Sequence, residues 1–214
     1  MMDYALIRMN EVFPHDSDVA KWIVGLAIVH NDFVFLKRKL FKTSDDISDW
    51  IFETTSVLKI LTASLREAIF YLEESEKLEE VRIYINSLPQ YMIQKYEILK
   101  QLFRSGEKAE LLQRLSNTRN ITYHYTKPQR KELSEALEAS SNEVLAYEEN
   151  NQKFFFAEHI KNTILLRSLF SPNELKLEKE LPIEELIMSI RESIEILIDF
   201  SSEVSKHYLK AFCK

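Results

Sequence analysis

Residues 47–72 read ISDWIFETTSVLKILTASLREAIFYL, a stretch with neither glycine nor proline. Ile47, Trp50, Ile51, Val57, Leu58, Leu61, Leu65, Ala68, Ile69 and Leu72 recur mostly at three- and four-residue steps. That spacing stacks them on one face of an α-helix, because side chains repeat every 3.6 residues around its axis. Thr43-Ser44-Asp45, just upstream, offers oxygens to cap the first amides. At 1.5 Å per residue the helix is about 45 Å long. A segment of this kind places the chain in the all-α class.

Working outward, the same pattern continues on both sides. Asp16-Ser17-Asp18 caps a helix from about Val19 to Phe41 that carries Trp22, Ile23, Leu26, Phe33 and Leu40. The short link between these two helices predicts an antiparallel hairpin. Downstream, a helix from about Glu76 to Ser87 ends before Pro89, and another runs from Tyr91 to Phe103. Ser105-Gly106 is expected to stop the latter, with Gly106 as a left-handed C-cap. Glu107 opens a helix through Leu111, Leu112 and Leu115 that Pro128 ends near Tyr125. Further helices are expected over 131–147 and 154–170. The last one starts at Pro182, with Glu184 and Glu185 at its positive end and Lys206, His207 and Lys210 at its negative end. No repeat or domain boundary stands out, so one all-helical domain over 1–214 is expected.

Composition agrees. The 214 residues include only two glycines and five prolines, whereas sheets and their turns consume glycine. The single cysteine, Cys213, has no partner for a disulfide or a thiolate metal site, which fits a cytoplasmic chain. Acids and a proline in the first eighteen residues interrupt any signal-peptide core. The longest apolar run, Trp22 to Val29, is far shorter than the roughly 20 residues that span a bilayer, so no membrane association is expected.

The net charge is −6, with 34 acidic residues among 214, yet no Asp or Glu lies between Leu111 and Lys131. Arg114, Arg119, Lys127, Arg130 and Lys131 fall there, with His124 among them. Screening limits each charge's reach to about 8–10 Å, so a locally positive surface fits within an acidic protein. The alternative is that Arg114 and Lys131 pair with carboxylates of neighbouring helices. Tyr123 and Tyr125 flank His124, where aromatic rings beside cations can stack on unpaired bases.

Inside this stretch, Arg119-Asn120-Ile121-Thr122-Tyr123-His124-Tyr125 resembles the R-[ND]-x-x-x-H form of the HEPN superfamily motif. Two long N-terminal helices, with Leu65-Arg66-Glu67-Ala68 in the second, resemble the abortive-infection group of that superfamily. The strong part of the resemblance covers about seven residues, and a weaker helical likeness covers most of 19–130. It implies an HEPN-like helical bundle, with a core over about 19–147 and additional C-terminal helices over 154–214.

The resemblance further implies a metal-independent endoribonuclease that works as a homodimer, in phage defence or a toxin–antitoxin pair. An RNA 2′-hydroxyl would attack the adjacent phosphodiester. His124 would move the proton, its ordinary pKa near 6.5 suiting that task. Arg119 would hold the phosphate with its fork of donors, and Asn120 would orient phosphate or histidine. RNA-binding roles fall to Arg114, Tyr123, Tyr125, Lys127, Arg130 and Lys131. Expected partners are a second copy of the chain, RNA, and an antitoxin or regulatory protein; no cofactor or metal is expected. The competing reading is a non-catalytic HEPN-fold module that binds a protein or RNA.

Spacing adds a geometric condition. Five residues turn an α-helix through about 500°, leaving Arg119 and His124 roughly 140° apart. A cleft formed by two subunits brings such groups together more readily than one helix face does. Other chemistries find less support. A di-metal bundle needs Glu-x-x-His pairs, whereas Glu11/His15 and Glu203/His207 are each spaced four apart. His30-Asn31-Asp32 reads best as a buried polar network, Arg66-Glu67 is ambiguous, and Phe154-Phe155-Phe156 reads best as a core anchor.

Overall fold

The structure is a computed structural model that describes residues 7–40, 47–122, 131–141, 154–170 and 181–212, with backbone alone at 47–52, 155 and 181–184. In chain order the helices are α1 (Met9–Val12), α2 (Asp18–Leu40), α3 (Ile47–Ser75), α4 (Glu79–Asn86), α5 (Gln90–Lys100), α6 (Ala109–Thr122), α7 (Lys131–Ala139), α8 (Phe155–Leu169) and α9 (Leu181–Lys210). No strand occurs among the described residues, and the chain is all-α.

Local signals account for most of these elements. Ser17 caps α2, its hydroxyl accepting from the Ala20 amide at 3.2 Å. Pro89 stands just before α5 in an extended conformation, ready to enter the helix. The anticipated 45 Å helix is α3, 29 residues long. α7 ends at Ala139, where the Ser141 amide bonds back to Glu138 in a tighter turn; the rest of the helix expected over 131–147 lies outside the described residues.

The fold groups into two units, each assembled from separated stretches of chain. The first comprises 1–37, 67–109 and 188–214. Its centre is aromatic: Phe200 stacks on Tyr96 at 5.3 Å and meets Trp22 edge-on at 6.4 Å. The Tyr71 hydroxyl donates to the Trp22 carbonyl at 2.9 Å, bringing the start of α2 against the end of α3 as an antiparallel pair requires. Burial pushes that hydroxyl's pKa up to about 12. Gly25 lies opposite, and a side chain there would run into the Tyr71 ring and hydroxyl. α1, which no periodicity announces, is held by the Tyr208 hydroxyl donating to the Val12 carbonyl at 2.6 Å. Ion pairs between distant stretches of chain rim this unit: Lys37–Glu195 at 2.5 Å, Lys95–Glu203 at 2.8 Å and Arg104–Glu73 at 2.8 Å. Such exposed or part-exposed pairs each contribute about 0–1 kcal/mol.

α2 is long and apolar enough to cross a membrane by length and composition. The short unbroken run understated this, because the helix carries few charges on either side of it. Trp22, Ile23, Leu26 and Phe33 are buried within the first unit, as in the core helix of a bundle, which passes the same test.

Gly106 corrects an expectation. It has no positive φ and therefore is not a left-handed cap. The chain after α5 folds back tightly, Lys108 N–H donating to the Gln101 carbonyl at 2.7 Å. A Cβ at Gly106 would collide with the backbone oxygens of Lys100 and Gln101, which no side-chain rotation can relieve. Gly106→Ala is therefore expected to lose about 1–3 kcal/mol in urea unfolding. An unchanged midpoint would show that this turn relaxes freely.

The second unit comprises 38–66 and 110–187. Leu65 of α3, Leu115 of α6, Ala136 of α7 and Leu165 of α8 are buried in it. α7 and α8 pack antiparallel. Glu135 meets Arg167 at 3.4 Å, and five residues further on Ser140 meets His159 at 3.0 Å.

Candidate functional site

The site is built on α6, in the second unit. Leu111, Leu112, Leu115 and Thr118 form its buried stripe, and Gln113, Asn117 and Asn120 its exposed one. Ser116, Thr118 and Thr122 each donate a hydroxyl hydrogen to the carbonyl four residues back, at 2.8, 2.9 and 2.7 Å. These bonds spend the hydroxyl hydrogens within the helix and favour a slight bend in it.

Two contacts set the rotation of α6. Thr118, fully buried, accepts from the Ser168 hydroxyl of α8 at 3.1 Å. Ser116 accepts from Arg66 Nε of α3, also at 3.1 Å. With Thr118 held inward, Asn120 faces solvent and Arg119 is half-exposed. Arg119 Nη1 lies 3.5 Å from Asn120 Oδ1, a long and weak contact at the outer limit of a hydrogen bond. These two groups occupy the last described turn of α6, where backbone carbonyls put partial negative charge.

The other residues expected at the site divide. Arg114 is engaged inside the unit: Nη2 reaches Glu110 Oε1 at 2.6 Å, and Nη1 donates to the Leu169 carbonyl at 3.0 Å. Lys131 pairs with Glu135 on its own helix at 2.9 Å, and that bond raises the lysine's pKa while lowering the carboxylate's. The acids that flank the acid-free stretch thus fold onto its terminal cations. Both pairs form within one helix, at i,i+4 spacing. Tyr123, His124, Tyr125, Lys127 and Arg130 lie outside the described residues.

Arg66 is the residue the sequence left undecided and the structure brings to α6. Its contact with Ser116 spans fifty positions, so no local pattern could identify that contact. A second polar group in this unit went unanticipated. Lys161 is ion-paired with Glu158 and lies 3.5 Å from Ser56 of α3. Lys59, also on α3, has its pKa lowered by burial and by Lys161.

The alternatives weighed earlier resolve differently. His30 Nδ1 lies 3.2 Å from the Ile198 carbonyl and 3.4 Å from the Ser201 hydroxyl, within the first unit. Asn31 and Asp32 are exposed and His30 is only part-buried, so the expected buried network of all three is not formed. Phe154 and Phe156 are 54% and 51% exposed, with ring centroids 5.6 Å apart, which overturns a core-anchor role for these two. They precede and open α8 where the described chain has little to cover them. Among the described residues no three His, Cys, Asp or Glu side chains converge.

No family model, curated protein or solved structure matches this chain.

Proposed function

We propose that this protein is an HEPN-like, metal-independent endoribonuclease that acts as a homodimer, in phage defence or a toxin–antitoxin pair. The observation that carries this reading is the last turn of α6, where Arg119 and Asn120 sit side by side and reach solvent. They directly precede Tyr123-His124-Tyr125 in an acid-free stretch. A guanidinium and an amide side by side suit a phosphodiester: the guanidinium neutralises charge that grows during attack, and the amide orients an oxygen. His124 supplies the titratable group for moving the 2′-hydroxyl proton. The roughly 140° between Arg119 and His124 on an ideal helix makes a two-subunit cleft the natural place for them to converge.

A second reading is a non-catalytic helical module for a protein or RNA partner. The exposed Phe154 and Phe156, and the intrachain pairing of Arg114 and Lys131, favour it.

Purified protein treated with EDTA and incubated with a mixed RNA pool separates the two. The nuclease reading expects cleavage with cyclic-phosphate ends, reduced about 10²–10³-fold by Arg119→Ala. RNA left intact by the parent would favour the binding module.

A further inference from the structure

α2 turns two unlike faces to its surroundings. Trp22, Leu26 and Phe33 are buried in the first unit. Ile28 and Phe35 stand on the other side, 56% and 58% exposed. Seven residues turn a helix through about 700°, so Lys21, Ile28 and Phe35 line up to within about 40°. Asp32, also exposed, lies about 40° to one side of Ile28. α2 is the one described helix apolar enough to span a membrane, yet only 33% of its most apolar 18-residue stretch is buried.

The charges on this face select what can cover it. Asn31 and Asp32 are exposed near its middle, and lipid would leave an amide and a carboxylate in hydrocarbon. A second α2 laid parallel would set Asp32 against Asp32 and Lys21 against Lys21, like charges together. An antiparallel α2, related by a two-fold axis at Ile28, resolves this. Ile28 then meets Ile28, and Lys21 of each copy meets Phe35 of the other, with Asp32 one turn away. The ammonium is placed to cover that ring and to pair with that carboxylate. Within one chain Lys21 has Asp18 at 3.0 Å, an exposed pair of small energetic weight that is readily exchanged. The helix dipoles also oppose each other in this arrangement.

We infer that the Lys21–Phe35 face of α2 is a docking surface for a second copy of this chain, the two helices crossing antiparallel at Ile28. This assigns a surface to the proposed homodimer and rests on that part of the functional reading.

The test is sedimentation velocity of the full chain over a concentration series. The parent is expected to dimerise, and Ile28→Asp to weaken the dimer on the order of a hundredfold by setting two carboxylates face to face. Unchanged far-UV circular dichroism would show that the exposed position tolerates the change. Lys21→Glu and Asp32→Lys should each weaken the dimer on the order of tenfold, and the double variant should recover most of that loss. Residues 21 and 32 are about 16 Å apart along one helix, so such recovery is a contact between copies. A dimer that survives Ile28→Asp, or a double variant no better than the single ones, overturns the inference and leaves the homodimer standing on another surface. A monomeric parent overturns both. A monomeric parent that floats with phosphatidylcholine–phosphatidylglycerol vesicles, and ceases to with Ile28→Asp, assigns the face to lipid instead.

Discussion

His124→Ala is expected to lower RNA cleavage by roughly 10²–10⁴-fold, the usual contribution of a positioned proton-transfer group. The loss should fall on kcat, because in the proposed reaction the imidazole would act on the reacting hydroxyl and contribute little to holding the RNA chain. Arg119→Ala differs in kind. In the proposed reaction it would remove a charge-assisted contact to the scissile phosphate, so KM should rise along with the fall in kcat. Comparing the two variants therefore separates proton transfer from phosphate binding. Size-exclusion elution of His124→Ala at the parent position would show that the loss is chemical and not a failure of assembly. A His124→Ala protein that cuts as fast as the parent would falsify the proposed chemistry.

Phe200→Ala is expected to destabilise the protein by about 3–5 kcal/mol. Phe200 is wholly buried, stacked on Tyr96 and edge-on to Trp22, so its removal takes a packing partner from both rings in a close-packed interior. For a chain of this length that corresponds to a fall in Tm of roughly 6–20 °C. Phe200→Leu keeps most of the apolar volume and should lose appreciably less. Equal losses in the two variants would mean that the aromatic contacts contribute nothing beyond bulk. A negligible loss in Phe200→Ala would mean that the first unit repacks around the cavity.

The candidate site was legible only in part. Arg119 and Asn120 could be picked out because their relation is local: adjacent residues near a helix end, in a stretch whose lack of acid is visible by inspection. The fate of Arg114 could not. Its partners include the Leu169 carbonyl, which lies fifty-five residues away, as well as Glu110 on its own helix. Arg66 was equally opaque, since nothing near it in the chain names Ser116. Gly106 was misjudged for a related reason. A glycine after a helix suggests a left-handed cap, but here the missing side chain makes room for the backbone of the preceding turn.

The sequence by itself determined the all-α class and the sites of most helices, including the cap at Ser17, the entry at Pro89 and the run of α3. Helical hydrogen bonds join residues four apart, and apolar periodicity and caps act over the same short range, so the information is carried locally. Tertiary structure alone decided the division into two units, the existence of α1, the exposure of Phe154 and Phe156, and the clamps on α6 from Arg66 and Ser168. Those outcomes depend on which of many chemically equivalent partners meet across fifty or more residues. That choice is made by packing, where close contact and desolvation act on the assembled helices and leave no periodic mark in the chain.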